Sequence, residues 1–288
     1  MPSCDVVVVN YNAGAFLKQT VDAVLGTAAV ARVVVVDNAS ADDSLRALRD
    51  AGGRLAIVRN GRNLGFAAAC NIGIGRTASE FVLLLNPDCR PEPGAIERLI
   101  GILADRPGAG MSGPLLLNPD GSEQAGGRRA EPTPGRSLVA ALGLARLGGR
   151  VPGLTGVGLH HAPLPAGPVE VEAISGACML VRRDAMRSVG LMDDRYFLHC
   201  EDLDWCLRFR RGGFSIVFTP EARVIHQKGV SSRPHPIATE WHKHRGMARF
   251  YRKFYRSRYP APLTALVMAG IWLRFGLVAT TRLVRRRS

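Results

Sequence analysis

The sequence predicts an α/β fold with a mostly parallel central sheet flanked by helices, and three observations point to it. Four short apolar or β-branched runs, Val6–Val9, Val33–Val36, Leu55–Val58 and Phe81–Leu85, are separated by stretches of helical periodicity. Strands alternating with helices of that length make βαβ units, whose right-handed crossovers give a doubly wound parallel sheet. The run Phe81–Leu85 stops at Asn86-Pro87-Asp88. Five apolar residues read as a strand buried on both faces, and Pro87 ends it by lacking an N–H and confining Asn86 to extended backbone. Finally, 288 residues at 47% hydrophobic and 22% charged are ordinary globular usage, enough for one large domain or one domain with an appendage.

In chain order, Val6–Val9 leads into Asn10-Tyr11-Asn12-Ala13-Gly14 and then a helix carrying Phe16, Thr20, Val21, Val24 and Leu25. A dinucleotide-binding oxidoreductase would need Gly-x-Gly-x-x-Gly at this turn, so that backbone amides approach a pyrophosphate. Four of the five residues here carry a Cβ, which argues against that class. The second strand ends in Asp37-Asn38-Ala39-Ser40. Asp37 is placed to accept bonds from a base or ribose, while Ser40 or Asp42 suits the cap of a helix around Leu45–Leu48. Asn63 and Gly65 mark a loop before a helix from Phe66 to Ile74, and Gly73–Gly75 reads as its stop. The small run Ala67–Ala69 means tight packing on the sheet or a loop that donates amides to phosphates.

Asp88 falls at the carboxyl end of a central strand, where open α/β sheets hold ligands; its reading is a hard-cation ligand or a strand-ending Asx turn. A helix over Glu92–Leu103 and a strand over Met111–Leu117 follow, then Asn118-Pro119-Asp120-Gly121-Ser122, a hairpin signal to which no chemistry is assigned. Residues 126–168 read as a long binding loop or lid with a short helix near Leu138–Leu147, and Arg128-Arg129 as a solvated pair, the alternative being a reach to phosphates. Val169–Ile174 and Ala177–Val181 are strands, with Asp184 capping a short helix. From Glu201 the pattern is helical, with Leu203, Cys206 and Leu207 on one face and Asp204 spaced to pair with Arg208. Glu201 and Asp202 suit the helix dipole, or supply a general base at the helix mouth. A strand over Phe214–Phe218 precedes His226, a metal ligand or a structural histidine.

Formal charge is +14, but residues 241–288 hold twelve of the Lys/Arg and no acid, so the body is nearly neutral. That argues against nucleic-acid binding, which calls for a basic face on the folded domain. Six irregularly spaced cysteines without a Cys-x-x-Cys pair, and an N-terminal stretch that reads as a strand, predict free thiols and a cytoplasmic protein. The tail interleaves basic residues with Trp241, Phe250, Tyr251, Phe254 and Tyr255 and continues into the uncharged run Ala261–Leu273. Thirteen helical residues reach about 20 Å, short of the ~30 Å hydrocarbon core, and Arg274 interrupts any extension. A membrane-surface or shallowly inserted attachment follows, the alternative being a helical cap on the domain or a homo-oligomer contact.

Taken together, Val-Val-Asn-Tyr-Asn at 8–12, Val-Asp-Asn-Ala-Ser at 36–40, Asn-Leu-Gly-Phe-Ala at 63–67 with Asn71, and Leu-Asn-Pro-Asp at 85–88 resemble a known family. Asn-Pro-Asp-Gly-Ser at 118–122, Gly-Ala-Cys-Met-Leu at 176–180, Glu-Asp-Leu-Asp-Trp at 201–205 and His-Gln-Lys-Gly at 226–229 complete the set. They resemble the inverting family-2 glycosyltransferases of GT-A fold, in their bacterial rhamnosyltransferase-like branch, over about residues 4–232. The resemblance implies a glycosyltransferase domain over 1–232, with a nucleotide-sugar half (1–117) and an acceptor and catalytic half (118–232), and a membrane-associating tail over 233–288. It implies a nucleoside-diphosphate sugar donor, a glycan or polyprenyl-linked acceptor, and action at the cytoplasmic face of the inner membrane. Asp37 would hold the base, with Asn10, Asn12, Asn63, Gly65, Phe66, Asn71, Asn86 and Trp205 around the substrates. Asp88 and His226 would bind Mg²⁺ or Mn²⁺, and Asp202, beside Glu201, would deprotonate the acceptor hydroxyl. Asn86 stands where the family's usual metal motif has its first Asp. The rival readings are a sugar nucleotidyltransferase, which lacks its Gly-rich basic loop here, and a non-catalytic sugar-nucleotide-binding protein.

Overall fold

The computed structural model describes residues 2–50, 52–141, 143–144, 156–230 and 235–285. Its first half is β1 (Cys4–Asn10), α1 (Ala15–Leu25), β2 (Val30–Asp37), β3 (Leu55–Arg59), α2 (Phe66–Ile74), β4 (Phe81–Leu85), β5 (Cys89–Pro91), α3 (Ala95–Asp105) and β6 (Ala109–Leu117). The second half is β7 (Arg128–Arg129), α4 (Pro134–Ala141), β8 (Val169–Glu170), β9 (Ala173–Ile174), β10 (Cys178–Arg182), α5 (Arg183–Val189), α6 (Glu201–Arg211), β11 (Ser215–His226), α7 (Pro236–Phe254) and α8 (Ala261–Arg285).

One sheet runs in the order β3-β2-β1-β4-β10-β6-β11-β5, with β8 against β11, and β7 pairs β9 separately. β3, β2, β1 and β4 are mutually parallel, as are β6 and β11, whereas β10 enters antiparallel between β4 and β6. A strand from the second half thus completes the sheet of the first. β1, β4 and β6 are buried at every position, as continuous apolar runs covered on both faces require. The order reverses beside β1, and β1, β2 and β4 all end on the same edge, at Asn10, Asp37 and Leu85. Ligands of open α/β sheets sit at such a switch point.

Several expected elements differ. Residues 44–47 form turns and no helix, because Asp42 accepts from the Ser44 N–H and hydroxyl and from the Gly14 N–H, fixing a tight loop instead. The helix expected from Glu92 starts at Ala95, and Asp184 lies inside the first turn of α5 without capping it, bonded to Arg187. The helix expected near Leu138–Leu147 spans Pro134–Ala141, and 145–155 lies outside the described residues. The stop read at Gly73–Gly75 holds, with α2 ending at Ile74 and Gly75 as its C-cap, but Gly73 has a second use: a Cβ there would lie 2.3 Å from Val7 Cγ1, so it lets α2 press onto the sheet. Phe214–Phe218 and the run to His226 join in one strand, β11, with a register shift between Thr219 and Arg223 around Pro220.

The tail packs on the body. Phe250, Tyr251, Phe254 and Tyr255 share a buried cluster with Tyr196, Cys200 and Leu207, so the apolar stripe of α7 faces protein and not lipid. α8 crosses α7 through Trp272 and Phe275 on Trp241, and Arg282 pairs with Glu240. Its 25 residues, about 37 Å of helix, run unbroken past Arg274. The helix thus continues beyond the uncharged run Ala261–Leu273. Leu266, Leu273, Leu277 and Val284 remain more than 60% exposed along it.

Candidate active site

Three groups meet at the carboxyl edge. The first is the β1–β2 corner. Asp37 accepts from Asn10 Nδ2 at 2.7 Å and from the Ser40 hydroxyl at 2.6 Å, while Asn10 Nδ2 also reaches the Ser44 hydroxyl at 2.8 Å. Asn12 accepts from the Ala41 N–H and Asn63 from the Gly65 N–H, so both shape loops with their side chains. Gly65 has φ +87°, and a Cβ on it would lie 2.5 Å from the Phe197 carbonyl; the donor-side loop touches the 197–200 segment because this residue has no side chain.

The second group is the end of β4. Asp88 and His226 are both buried, and His226 Nε2 lies 3.2 Å from Asp88 Oδ1. Asn86 Nδ2 stands 3.4 Å from the same nitrogen, at the long edge of hydrogen bonding. Gln124 determines how the pair faces. Its Nε2 donates to Asn118 Oδ1 and to the His226 carbonyl, which turns its Oε1 to His226 Nδ1 at 2.6 Å. That network assigns the proton to Nδ1 and leaves a lone pair on Nε2. Nε2 then has no proton for Asp88, whose Oδ1 has no hydrogen-bond donor. A buried carboxylate oxygen and an imidazole lone pair facing each other make an oxygen–nitrogen pair that suits a hard or borderline divalent ion. Cys89 Sγ lies in the same cluster, but burial pushes its thiol well up and it donates to the Ala177 carbonyl, so it stays protonated and a poor ligand. The hairpin at 118–122 forms as expected, with Asn118 N–H donating to Ser122 O, and its Asn118 side chain also holds Gln124 in place.

The third group is the mouth of α6. Asp202 Oδ2 accepts from Arg129 Nη2 at 2.5 Å and from the Gly176 N–H at 3.1 Å, and Oδ1 accepts from the Leu203 N–H at 2.8 Å. Burial raises this carboxyl, but the Arg129 guanidinium and the three hydrogen bonds outweigh it and hold it below the usual range. Glu201 has no such counter-ion: burial, then repulsion from Asp202, pushes it up to about 8. Environments that drive two carboxyls apart assign their roles. Asp202 is the ionised group and Glu201 the neutral one. Arg129 is therefore not part of a solvated pair; Arg128 is likewise buried, paired with Glu123 at 2.8 Å.

The second and third groups meet at Ser175–Ala177. Asn86 N–H donates to the Ala177 carbonyl at 2.8 Å, one residue from the Gly176 amide that binds Asp202. A Cβ on Gly176 would lie 3.3 Å from Asp202 and 3.5 Å from Phe66, so this bare stretch of backbone also brings the α2 mouth alongside. Two expected substrate contacts do not lie here. Trp205 is fully buried, donates to the Gly190 carbonyl and stands edge-on to Phe209; it is core, its indole N–H and ring both spent on protein partners. Asn71 spends both ends of its amide on Met192 N–H and C=O, holding a loop. Sequence reasoning missed Gln124 and the Arg129–Asp202 pair. The only signal for Gln124 was its place just beyond the hairpin, and for Arg129 there was none.

Residues 5–157 match the family model Glycosyl transferase family 2. The N-acetylglucosaminyl-diphospho-decaprenol L-rhamnosyltransferase of Mycobacterium tuberculosis is 29% identical over 294 residues, 98% of this chain and 94% of that one. A dTDP-rhamnosyl transferase of Shigella flexneri is 24% identical over 69% of this chain and 61% of its own length. Among solved structures, a mannosyltransferase of Pyrobaculum calidifontis in complex with GDP-mannose and Mn²⁺ superposes with a TM-score of 0.59 at 17% identity, covering 94% of this chain and 70% of that one. That likeness shows a GT-A architecture. With more than half its length matched by the family model, this chain belongs to glycosyltransferase family 2.

Proposed function

We propose that the chain is an inverting glycosyltransferase of cell-envelope glycan synthesis, moving a sugar from a nucleoside-diphosphate donor to a hydroxyl of a polyprenyl-diphosphate-linked acceptor at the cytoplasmic membrane face. Rhamnose is the sugar suggested by the relatives' names, one of which names dTDP as its carrier; the donor here is taken as a dTDP- or UDP-sugar. The observation that carries the proposal is one carboxylate held ionised at the α6 mouth, across Ser175–Ala177 from a pair of cation-ready acceptors. Asp202 takes the acceptor hydroxyl's proton as that oxygen bonds the anomeric carbon and the bond to the diphosphate breaks; a single displacement inverts the centre. Asp88 and His226 would hold Mg²⁺ or Mn²⁺, which offsets charge on the leaving diphosphate. The Asp37–Asn10–Ser40 corner, at the carboxyl ends of β1 and β2, would hold the base.

The exposed apolar face of α8 supports attachment to the membrane surface, with Arg274 near anionic headgroups. The test is release of nucleoside diphosphate from a panel of donor sugars with Mn²⁺ and a lipid-linked acceptor. Asp202→Asn is expected to lower transfer by about 10²–10⁴-fold, and Asp88→Ala to abolish it, with unchanged circular dichroism. Normal turnover by either folded variant removes the assignment.

A further inference from the structure

A cavity of about 480 Å³ opens between Arg195–Phe197 and the face of α7 that carries His242, Arg245, Arg249, Arg252 and Lys253. Its charge is only partly answered. Asp193 takes Arg195, Arg249 and Lys253, and Asp204 also takes Lys253. Arg245 and Arg252 are exposed and have no acidic partner among the described residues. Two further polar atoms in this wall, His242 Nδ1 and Arg249 Nε, are buried without a hydrogen-bond partner. Such atoms are destabilising unless something bonds them. The His242 ring is fixed by stacking on Phe197 at 4.2 Å. A cavity of this size with unspent cationic donors suits a phosphate-bearing ligand, since guanidinium groups bind phosphate oxygens in pairs.

Its position says which phosphate. Phe197 separates it from the donor side, where the Phe197 carbonyl accepts from the Phe66 N–H and Gly65 packs beneath. On the other side, α7 presses onto the segment that leads into Glu201 and Asp202: a Cβ on Gly246 would lie 2.7 Å from the His199 carbonyl. Trp241 and His244, neighbours of the cavity residues on α7, carry the aromatic contacts to α8 and its exposed apolar face. α7 therefore links the segment leading into Asp202, the cationic cavity and the apolar helix. We propose that this cavity binds the diphosphate of a lipid-linked acceptor, with its sugar reaching Asp202 and its hydrocarbon chain leaving along α8. The proposal rests on the glycosyltransferase reading above.

The test uses full-length protein in detergent with EDTA, which suppresses metal-dependent binding at Asp88, and titrates farnesyl diphosphate by calorimetry. Wild type is expected to bind. Arg245→Ser with Arg252→Ser is expected to weaken binding by about tenfold or more, Arg245→Lys with Arg252→Lys to recover part of it, and the charge-matched Arg32→Ser with Arg76→Ser to change it less than about twofold. Equal farnesyl diphosphate binding by the folded serine variant overturns the proposal. So does inorganic phosphate binding as tightly, or a serine variant that loses only its affinity for phosphatidylglycerol vesicles, which would mark a headgroup site. Should the double serine variant not fold, Arg252→Ser alone reads the same outcomes. Absence of nucleoside-diphosphate release by wild type with any donor and Mn²⁺ would instead sink the glycosyltransferase reading, and leaves the calorimetric result to stand by itself.

Discussion

Replacing Arg129 by Met removes a guanidinium from one of the most consequential contacts in the protein. Arg129 and Asp202 side chains are 15% and 13% exposed, so solvent screens the pair weakly. Without the cation, Asp202 keeps only the N–H groups of Gly176 and Leu203, and burial is no longer outweighed. An opposite charge at contact lowers a carboxyl by about 1–3 pH units, which corresponds to ~1.4–4 kcal/mol at 1.36 kcal/mol per unit. The sign follows. In the native protein the carboxyl is held below its unfolded value, so its ionised form contributes stability above the unfolded pKa and loses it as pH falls through the folded one. In Arg129→Met the folded pKa rises, and the base form is lost at higher pH. The acid limb of the kcat/KM profile is expected to move up by about 1–3 pH units. Unfolding at neutral pH should be easier by ~3–5 kcal/mol, because the variant buries an unpaired charge, and the deficit should shrink toward acid pH as Asp202 protonates. Arg129→Lys should restore part of both. An acid limb that stays in place in folded Arg129→Met would refute the idea that Arg129 sets the ionisation of the base.

Four further outcomes follow from the geometry. Gln124→Leu removes the acceptor that fixes the His226 tautomer, and Mn²⁺ affinity, read by paramagnetic resonance titration without substrate, should fall about 10–100-fold; unchanged affinity would remove Gln124 from the site. Gly65→Ala meets the Phe197 carbonyl at 2.5 Å and a positive φ, so it should lower stability by ~1–3 kcal/mol and reduce the melting temperature accordingly. Trp205→Ala should cost about 3–5 kcal/mol as a core cavity, whereas a milder Trp205→Phe should leave the KM for both substrates unchanged; a selective rise in KM would return Trp205 to the binding surface. Leu273→Glu with Leu277→Glu, on the exposed face of α8, should release the protein from anionic vesicles without lowering its melting temperature.

Much of this was legible in the chain. The apolar runs and the proline at position 87 determine four parallel strands and where β4 stops, because strand length, burial and the missing N–H are local properties. The order of motifs pointed to the family, and the hairpin at Asp120-Gly121 formed as its turn chemistry demands. The turns at 44–47 misled for a reason of the same kind seen from afar: Asp42 bonds Gly14, a residue 28 positions away, and no window of sequence contains both.

What only the tertiary structure decided are the states of the reactive groups. Adjacent in sequence, Glu201 and Asp202 are equivalent acids until Arg129, 73 residues earlier, sits against one of them and leaves the other buried alone. His226 is a ligand-ready base because Gln124, 102 residues away, takes its other nitrogen. The aromatic stripe of α7 reads as lipid-facing until Tyr196, Cys200 and Leu207 cover it, and what the covering leaves open is a cationic cavity. A sequence specifies which side chains exist and what local backbone they prefer. Electrostatics falls off with distance through space, so charge, tautomer and exposure are settled by whichever distant residues the fold brings near.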